Sequence, residues 1–247
     1  MIAKEKNGWV QDFKLLHDMT VPPHRTLLYG PPGTGKTTLA LMQMARCEKI
    51  TLTQGMFPDA LTGKFLLRNG STDWIYAAGS RASKSGVVLV LDEIHKAGVE
   101  LDSTLQSFMD DPTIARIELD NGETIIPASG YKVIATMNGS PDQLGEAVLD
   151  RFDVIIRANT PAPESLKKMR PDCAIFIQNL MLNEPDTDNF TRKVTARTMH
   201  TFTALTSRDL QGDKVLPDET AARLVWGENQ SDVILMGIMD AARNIQK

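Results

Sequence analysis

Gly30-Pro-Pro-Gly-Thr-Gly-Lys-Thr-Thr38 lies between a short apolar run, Thr26-Leu-Leu-Tyr29, and a run with helical spacing, Thr38-Leu-Ala-Leu-Met-Gln-Met-Ala-Arg46. It fits the pattern G-x-x-x-x-G-K-[ST], with Gly30, Gly35, Lys36 and Thr37 in the fixed places. Strand, glycine loop and helix are the context such a match requires. The physics is anion capture. Loop N–H groups and the helix N-terminus point at phosphates, and the helix dipole favours negative charge there. Lys36 adds a point cation near the β and γ phosphates, and the Thr37 hydroxyl can ligate Mg²⁺. Glycines let the backbone approach closely. The run Gly30, Pro31, Pro32, Gly33, Thr34, Gly35, Lys36, Thr37 and Thr38 is therefore the candidate binding stretch for the phosphates of a nucleotide with Mg²⁺; residues alone do not separate ATP from GTP. The plainer alternative, a chance glycine turn, has to account for the full match and both flanking elements.

The rest of the chain sets bounds. Its 247 residues can form one large domain or two modest ones. The net charge of -4 gives no global field favouring nucleic acid or an anionic membrane. The two cysteines, Cys47 and Cys173, fit a reducing compartment rather than a disulfide framework, and their spacing forms no CxxC metal site. Met1–Trp9 lacks the apolar core of a signal peptide, and no apolar run reaches the roughly 18 residues of a membrane span. These features predict a soluble cytoplasmic protein.

Periodicity predicts a parallel α/β sheet followed by helices. Residues 1–25 read as a polar lead-in, punctuated by Val21-Pro-Pro23. Lys49–Thr53 is short and β-branched, which suggests a second strand. Residues 55–86 hold five glycines among the apolar clusters Phe65–Leu67 and Trp74–Tyr76. Asn69–Thr72 between those clusters suggests a hairpin. Val87–Leu91 is unbroken and apolar, as a strand buried on both faces would be. Residues 99–110 read as a helix with Leu101, Leu105, Phe108 and Met109 on one stripe. Asp120-Asn-Gly122, between Ile114–Leu119 and Glu123–Ile126, predicts a second hairpin. Tyr131–Thr136 and Asp153–Ile156 supply two further core strands. Thr160-Pro-Ala-Pro163 looks like a linker, and residues 164–247 carry helical patterns, with Val225, Val233, Ile234, Ile238 and Met239 on the predicted buried faces.

The strand Val87–Leu91 runs into Asp92-Glu93. Ligands of open α/β sheets sit beyond the carboxyl ends of the strands. Asp92 would thus face Mg²⁺ beside Thr37, and Glu93 would polarise the attacking water. An ordinary strand end with a solvated acidic pair is the bland reading, and the upstream glycine loop weighs against it. Asn138, after its own strand, would lie between the two nucleotide strands and orient water. The alternative for Asn138 is a turn residue in Asn138-Gly-Ser-Pro141. His95 reads as a solvated histidine at a helix start, and His24 could line a base pocket only by chance of position. Met236, Ile238 and Met239 read as core.

Gly30–Thr38, Leu91-Asp-Glu93, Ala135-Thr-Met-Asn138 and Ala147-Val-Leu-Asp-Arg-Phe152 occur in the order seen in AAA+ ATPases, and the chain resembles their MoxR-like branch, of the CbbQ/NorQ type. The block Glu146–Phe152 and the paired hairpins carry that narrower resemblance, which spans roughly residues 22–240. It implies a P-loop NTPase fold: a parallel five-stranded sheet with helices on both faces, and a C-terminal α-helical lid. The implied domains are residues 1–160, with hairpin inserts near 61–85 and 114–126, and residues 161–247. It also implies catalytic roles. Asn138 matches the sensor-1 position, and Arg151 the arginine finger that reaches a neighbour's ATP. Arg197, in Thr195-Ala-Arg-Thr-Met199, matches sensor 2, although family members often have Ser-Pro-Arg there. A surface pair with Asp150 or Asp153 is the plainer reading of Arg151, and a helix-surface arginine that of Arg197.

The function so implied is a hexameric ring ATPase that remodels or activates a protein partner, frequently one with a von Willebrand A domain. A nucleic-acid motor or loader is the alternative. Lys64, Arg68, Arg81 and Lys84, interleaved with Trp74 and Tyr76, could grip a single strand, but the acidic total and the lack of a DNA-binding motif disfavour it. A small-molecule kinase would have little use for an arginine finger together with a helical lid.

Overall fold

The computed structural model describes residues 8–18, 24–42, 46–68, 70–183, 194–207 and 216–245. Val21-Pro-Pro23, Asn69 and the end of the first helical run, residues 43–45, lie outside them. By contacts the chain divides into two compact units. One holds Trp9–Gly30 and Lys36–Arg157, and the other gathers Pro31–Gly35 with the chain from Ala158 onward.

In the first unit, β1 (Arg25–Gly30) leads to α2 (Lys36–Met42), which follows α1 (Gly8–Asp18) in helix order. Then come β2 (Cys47–Thr51), α3 (Asp59–Thr62), β3 (Gly63–Arg68), β4 (Ser71–Tyr76), α4 (Ala78–Ser85), β5 (Val88–Asp92) and α5 (Asp102–Met109). The unit closes with β6 (Ile117–Glu118), β7 (Thr124–Ile125), β8 (Lys132–Asn138), α6 (Glu146–Leu149) and β9 (Val154–Arg157). Five strands form one sheet in the order β2-β5-β8-β1-β9, and every neighbouring pair is parallel. Every residue of β5 is buried, as its unbroken apolar run requires of an inner strand. Leu27, Leu89, Leu91, Val133, Ala135 and Met137 from three adjacent strands share a core with Leu105, Phe108 and Met109 of α5.

The two hairpins are separate two-stranded sheets. β3 and β4 pair over six positions, from Gly63↔Tyr76 to Arg68↔Ser71. β6 and β7 pair over only two, so Ile114 and Ile126 fall outside the ladder and are exposed.

Three expectations for this unit's elements need correction. The lead-in is not merely polar: α1 buries Trp9, Val10 and Phe13. Three apolar residues at i, i+1 and i+4 make a stripe that the polar surroundings hide. The 99–110 helix opens as a 3₁₀ turn, Val99–Leu101, before α5 begins, although its stripe is buried as expected. Asn138 is the last residue of β8, not a residue after the strand.

The second unit contributes α7 (Pro163–Leu166), α8 (Pro171–Asn183), α9 (Ala196–Thr206), α10 (Asp218–Trp226) and α11 (Glu228–Ile245), with no strand among its described residues. Its core joins Cys173, Ile177, Met199, Phe202, Val225, Trp226, Ile234 and Ile238. Val233, Met236 and Met239 are exposed instead of buried. Ile234 and Ile238, four apart, define the inward stripe of α11, and the other three stand off it. No described helix is long and apolar enough to cross a membrane.

Candidate functional site

The parallel order places β8 between β1 and β5, with Gly30 level with Asn138 and Leu91 level with Ala135. Side chains that are distant in sequence therefore meet at the carboxyl edge of the sheet. The Thr37 and Thr136 hydroxyls each donate to Asp92 Oδ1, both at 2.6 Å. Lys49 Nζ lies 2.8 Å from Asp92 Oδ2, and the Thr51 hydroxyl reaches the same oxygen at 3.4 Å. Burial pushes the Asp92 carboxyl up, but hydrogen bonds from Lys49, Thr136 and Thr37 outweigh it and hold the group below its ordinary range.

Lys36, at the start of α2, is buried. Its ammonium donates to the Gly30 carbonyl at 2.9 Å and to Asn138 Oδ1 at 3.1 Å. Burial lowers its pKa to about 8, against the pull of Glu93 and Asp92. Such a cation gains from an incoming anion. Asn138 Nδ2 in turn donates to Glu93 Oε1 at 2.8 Å, so Asn138 bridges Lys36 and Glu93.

Glu93 sits at φ 60, ψ 43, and is the one non-glycine with positive φ among the described residues. A left-handed glutamate is uncommon and costs of order 1 kcal/mol or more. It turns the chain sharply after β5. Glu93 Oε2 is buried and accepts no hydrogen bond, although His95 Nε2 at 3.5 Å and Lys96 Nζ at 3.4 Å lie within ion-pair distance. His95 is thus not a solvated histidine: it is largely buried, and burial first, then Lys96 and Lys36, keep it below its ordinary pKa despite Glu93.

In the other unit, Gly33 takes φ +81, and a Cβ there would come within 3.1 Å of the amide nitrogens of Ala196 and Arg197. Those amides open α9, where Thr195 and Thr198 form a capping box. Ala162 N donates to Thr34 O at 2.9 Å. The Arg197 side chain is exposed at this helix start.

Arg151 pairs with neither Asp150 nor Asp153. Its Nε donates to Asp110 Oδ1 at 3.0 Å, and Nη1 to the Ala147 carbonyl at 2.8 Å. Asp153 instead holds Arg25 and the His24 and Arg25 backbone amides, which places His24 at the opposite end of β1 from Gly30.

Sequence reasoning missed Thr136, Lys49 and Thr51. Thr136 had a signal, since it precedes Asn138 by two residues on one strand and so shares its face. Lys49 and Thr51 had none without the strand order.

A family model described as AAA domain (dynein-related subfamily) matches residues 25–152. Protein NorQ of Paracoccus denitrificans is 33% identical over 116 residues, covering 45% of this chain and 43% of that protein. The Holliday junction branch migration complex subunit RuvB of Methanoregula boonei is 30% identical over 151 residues, covering 60% of this chain and 42% of that protein. The chain thus spans less than half the length of these curated relatives. In fold, the crystal structure of NtrX from Brucella abortus in complex with ADP aligns with a TM-score of 0.50 at 15% identity, covering 100% of this chain and 66% of that one.

Proposed function

The chain belongs to the AAA domain family, dynein-related subfamily, and from that premise we propose that it is a ring-forming ATPase that couples ATP hydrolysis to remodelling or activation of a protein partner. The observation that carries this reading is the chain of contacts Thr37–Asp92–Thr136 and Lys36–Asn138–Glu93 at one sheet edge. Two hydrogen-bonded groups at that edge thus hold a cation for phosphate, oxygen ligands for a divalent ion and a carboxylate base. The nucleotide-binding part is residues 1–160, and the helical lid 161–247.

The donor set fits magnesium. The ion prefers oxygen, and in nucleotide sites takes one or two protein ligands with phosphates and waters completing the shell. Thr37 and Asp92 supply such ligands, and no group of three or more His, Cys, Asp or Glu forms a self-sufficient cage among the described residues. When bound, the ion would neutralise charge on the phosphate oxygens. Lys36 would turn to the β and γ phosphates, cradled by loop amides of Gly30–Thr38. Asn138 would orient the attacking water, and Glu93 Oε2 would take its proton as the water oxygen bonds to the γ-phosphorus and the bond to the β-phosphate oxygen breaks. Arg151 would serve a neighbouring subunit's site, and Arg197 would take the sensor-2 role that the family resemblance implies.

The resemblance to the MoxR-like branch implies a protein partner, and likeness to the Holliday junction branch migration subunit RuvB keeps a nucleic-acid motor in view. In the hairpin region Arg81 pairs with Glu48 at 2.7 Å and Lys84 with Glu123 at 2.6 Å, solvated contacts that do not separate the two readings.

The test is a pair of variants. Lys36→Ala is expected to abolish nucleotide binding by calorimetry. Glu93→Gln is expected to bind ATP normally and hydrolyse it slower by about 10²-fold or more. Unchanged affinity in the first or near-normal turnover in the second would refute these assignments.

A further inference from the structure

Lys49 belongs to no motif, yet it makes the closest cationic contact to Asp92, 2.8 Å from Oδ2. It stands on β2, the strand beside β5, where Thr51 is level with Asp92 and Lys49 lies two residues back on the same face. The two oxygens of Asp92 are thereby divided. Oδ1 accepts from Thr37 and Thr136, whereas Oδ2 takes Lys49 and Thr51. The half-exposed Lys49 is not needed to fill the core, and its position is open enough to accept another side chain.

We propose that Lys49 sets how tightly this site holds its divalent ion: it holds Asp92 Oδ2 as a fixed counter-charge, keeping Oδ1 turned to Thr37 and weakening the carboxylate's pull on the metal. The inference rests on the reading of Thr37 and Asp92 as metal ligands. An ammonium against one oxygen of the carboxylate opposes a doubly charged ion drawn to the other. Two hydroxyls on Oδ1 and one on Oδ2 would still orient Asp92 without the lysine. Loss of the lysine therefore removes repulsion while leaving most of the orientation in place. Weakened metal binding also makes release of the spent nucleotide with its ion easier, which suits an enzyme that must turn over.

The experiment titrates Mn²⁺ into protein saturated with a non-hydrolysable ATP analogue and reads free Mn²⁺ by electron paramagnetic resonance. Wild type, Lys49→Met, Lys49→Gln and Lys49→Arg are compared, and circular dichroism confirms that each is folded. Both neutral variants are expected to bind Mn²⁺ about tenfold more tightly, the effect of removing a unit charge near a divalent ion in a water-like medium. Lys49→Arg is expected to behave as wild type. A merely structural lysine would give the opposite sign, since a disordered Asp92 binds metal less well. Unchanged or weaker Mn²⁺ affinity in folded Lys49→Met and Lys49→Gln would overturn the proposal while leaving the site intact. Thr37→Ala with undiminished Mn²⁺ affinity would instead refute the metal site itself, and this proposal with it.

Discussion

Cys173 and Lys36 show how far burial can set chemistry at a single residue. Cys173 is fully buried, and burial together with the neighbouring Asp172 pushes its thiol up to about 12. Cys47 is partly exposed on β2. With a thiol reagent at pH 8, Cys47 is expected to react in the native protein and Cys173 only after unfolding. The sign follows from the thiolate being the nucleophile: raising the pH to 9.5 leaves Cys173 still below its pKa, with a thiolate fraction of under about one in a hundred. Equal labelling rates for the two cysteines in native protein would contradict the buried placement. Neither environment is written in the sequence, which shows only two well-separated cysteines. Lys36, Thr37, Asp92, Glu93 and Asn138 were legible because each belongs to a spaced motif. Their bridging by Asn138, and the left-handed turn that aims Glu93, depend on strand order and backbone geometry that no spacing records.

Among the elements, the β3–β4 hairpin has a packed base and an apolar tip. Gly63 lies under the Trp74 ring, where a Cβ would meet the Ile75 carbonyl oxygen at 2.5 Å. Trp74 and Tyr76 pack against the main core, and Tyr76 and Lys84 both donate to Glu123 of the second hairpin, Lys84 at 2.6 Å. Phe65 is level with Trp74 and packs edge-on against its ring, with centroids 5.0 Å apart, whereas Leu67, further out on the same face, is 76% exposed. The tip can therefore be altered without cutting into the base. Leu67→Ser is expected to leave basal ATPase activity and the melting temperature near wild type, while stimulation by a partner is lost. Trp74→Ala is expected to cost about 2–4 kcal/mol in denaturant unfolding, as loss of a packed aromatic does. An unfolded tip variant, or a Trp74→Ala protein of full stability, would reverse this division. Asn-Gly and glycine punctuation made both hairpins legible as elements. Their lengths were not, because β6–β7 stops after two pairs, where no periodicity marks an end.

At the scale of the whole molecule, the open question is what completes the site, and Arg151 is where it can be decided. In a single chain its guanidinium is engaged by Asp110 at 3.0 Å and by the Ala147 carbonyl at 2.8 Å, after the short helix α6. The pair is partly solvated, so it contributes little, on the order of 1 kcal/mol or less, and is readily exchanged for a phosphate. Family resemblance assigns Arg151 to the ATP of the next subunit, where such fingers contribute about 10³–10⁵ in rate. If so, hydrolysis needs an assembly, and specific activity should rise with protein concentration as rings form. Arg151→Ala should bind ATP, because Lys36 and the loop amides remain, but should hydrolyse almost none. Lys36→Ala should fail for the complementary reason, since it keeps the arginine and loses the pocket. Mixing the two inactive variants should then restore part of the activity, because some neighbours will join an intact Lys36 to an intact Arg151. A surface ion pair predicts none of this: Arg151→Ala would stay active, and mixing would add nothing. Turnover measured across a concentration series of each variant and of their mixtures separates the two, and a fully active monomer or an active Arg151→Ala would refute the shared site.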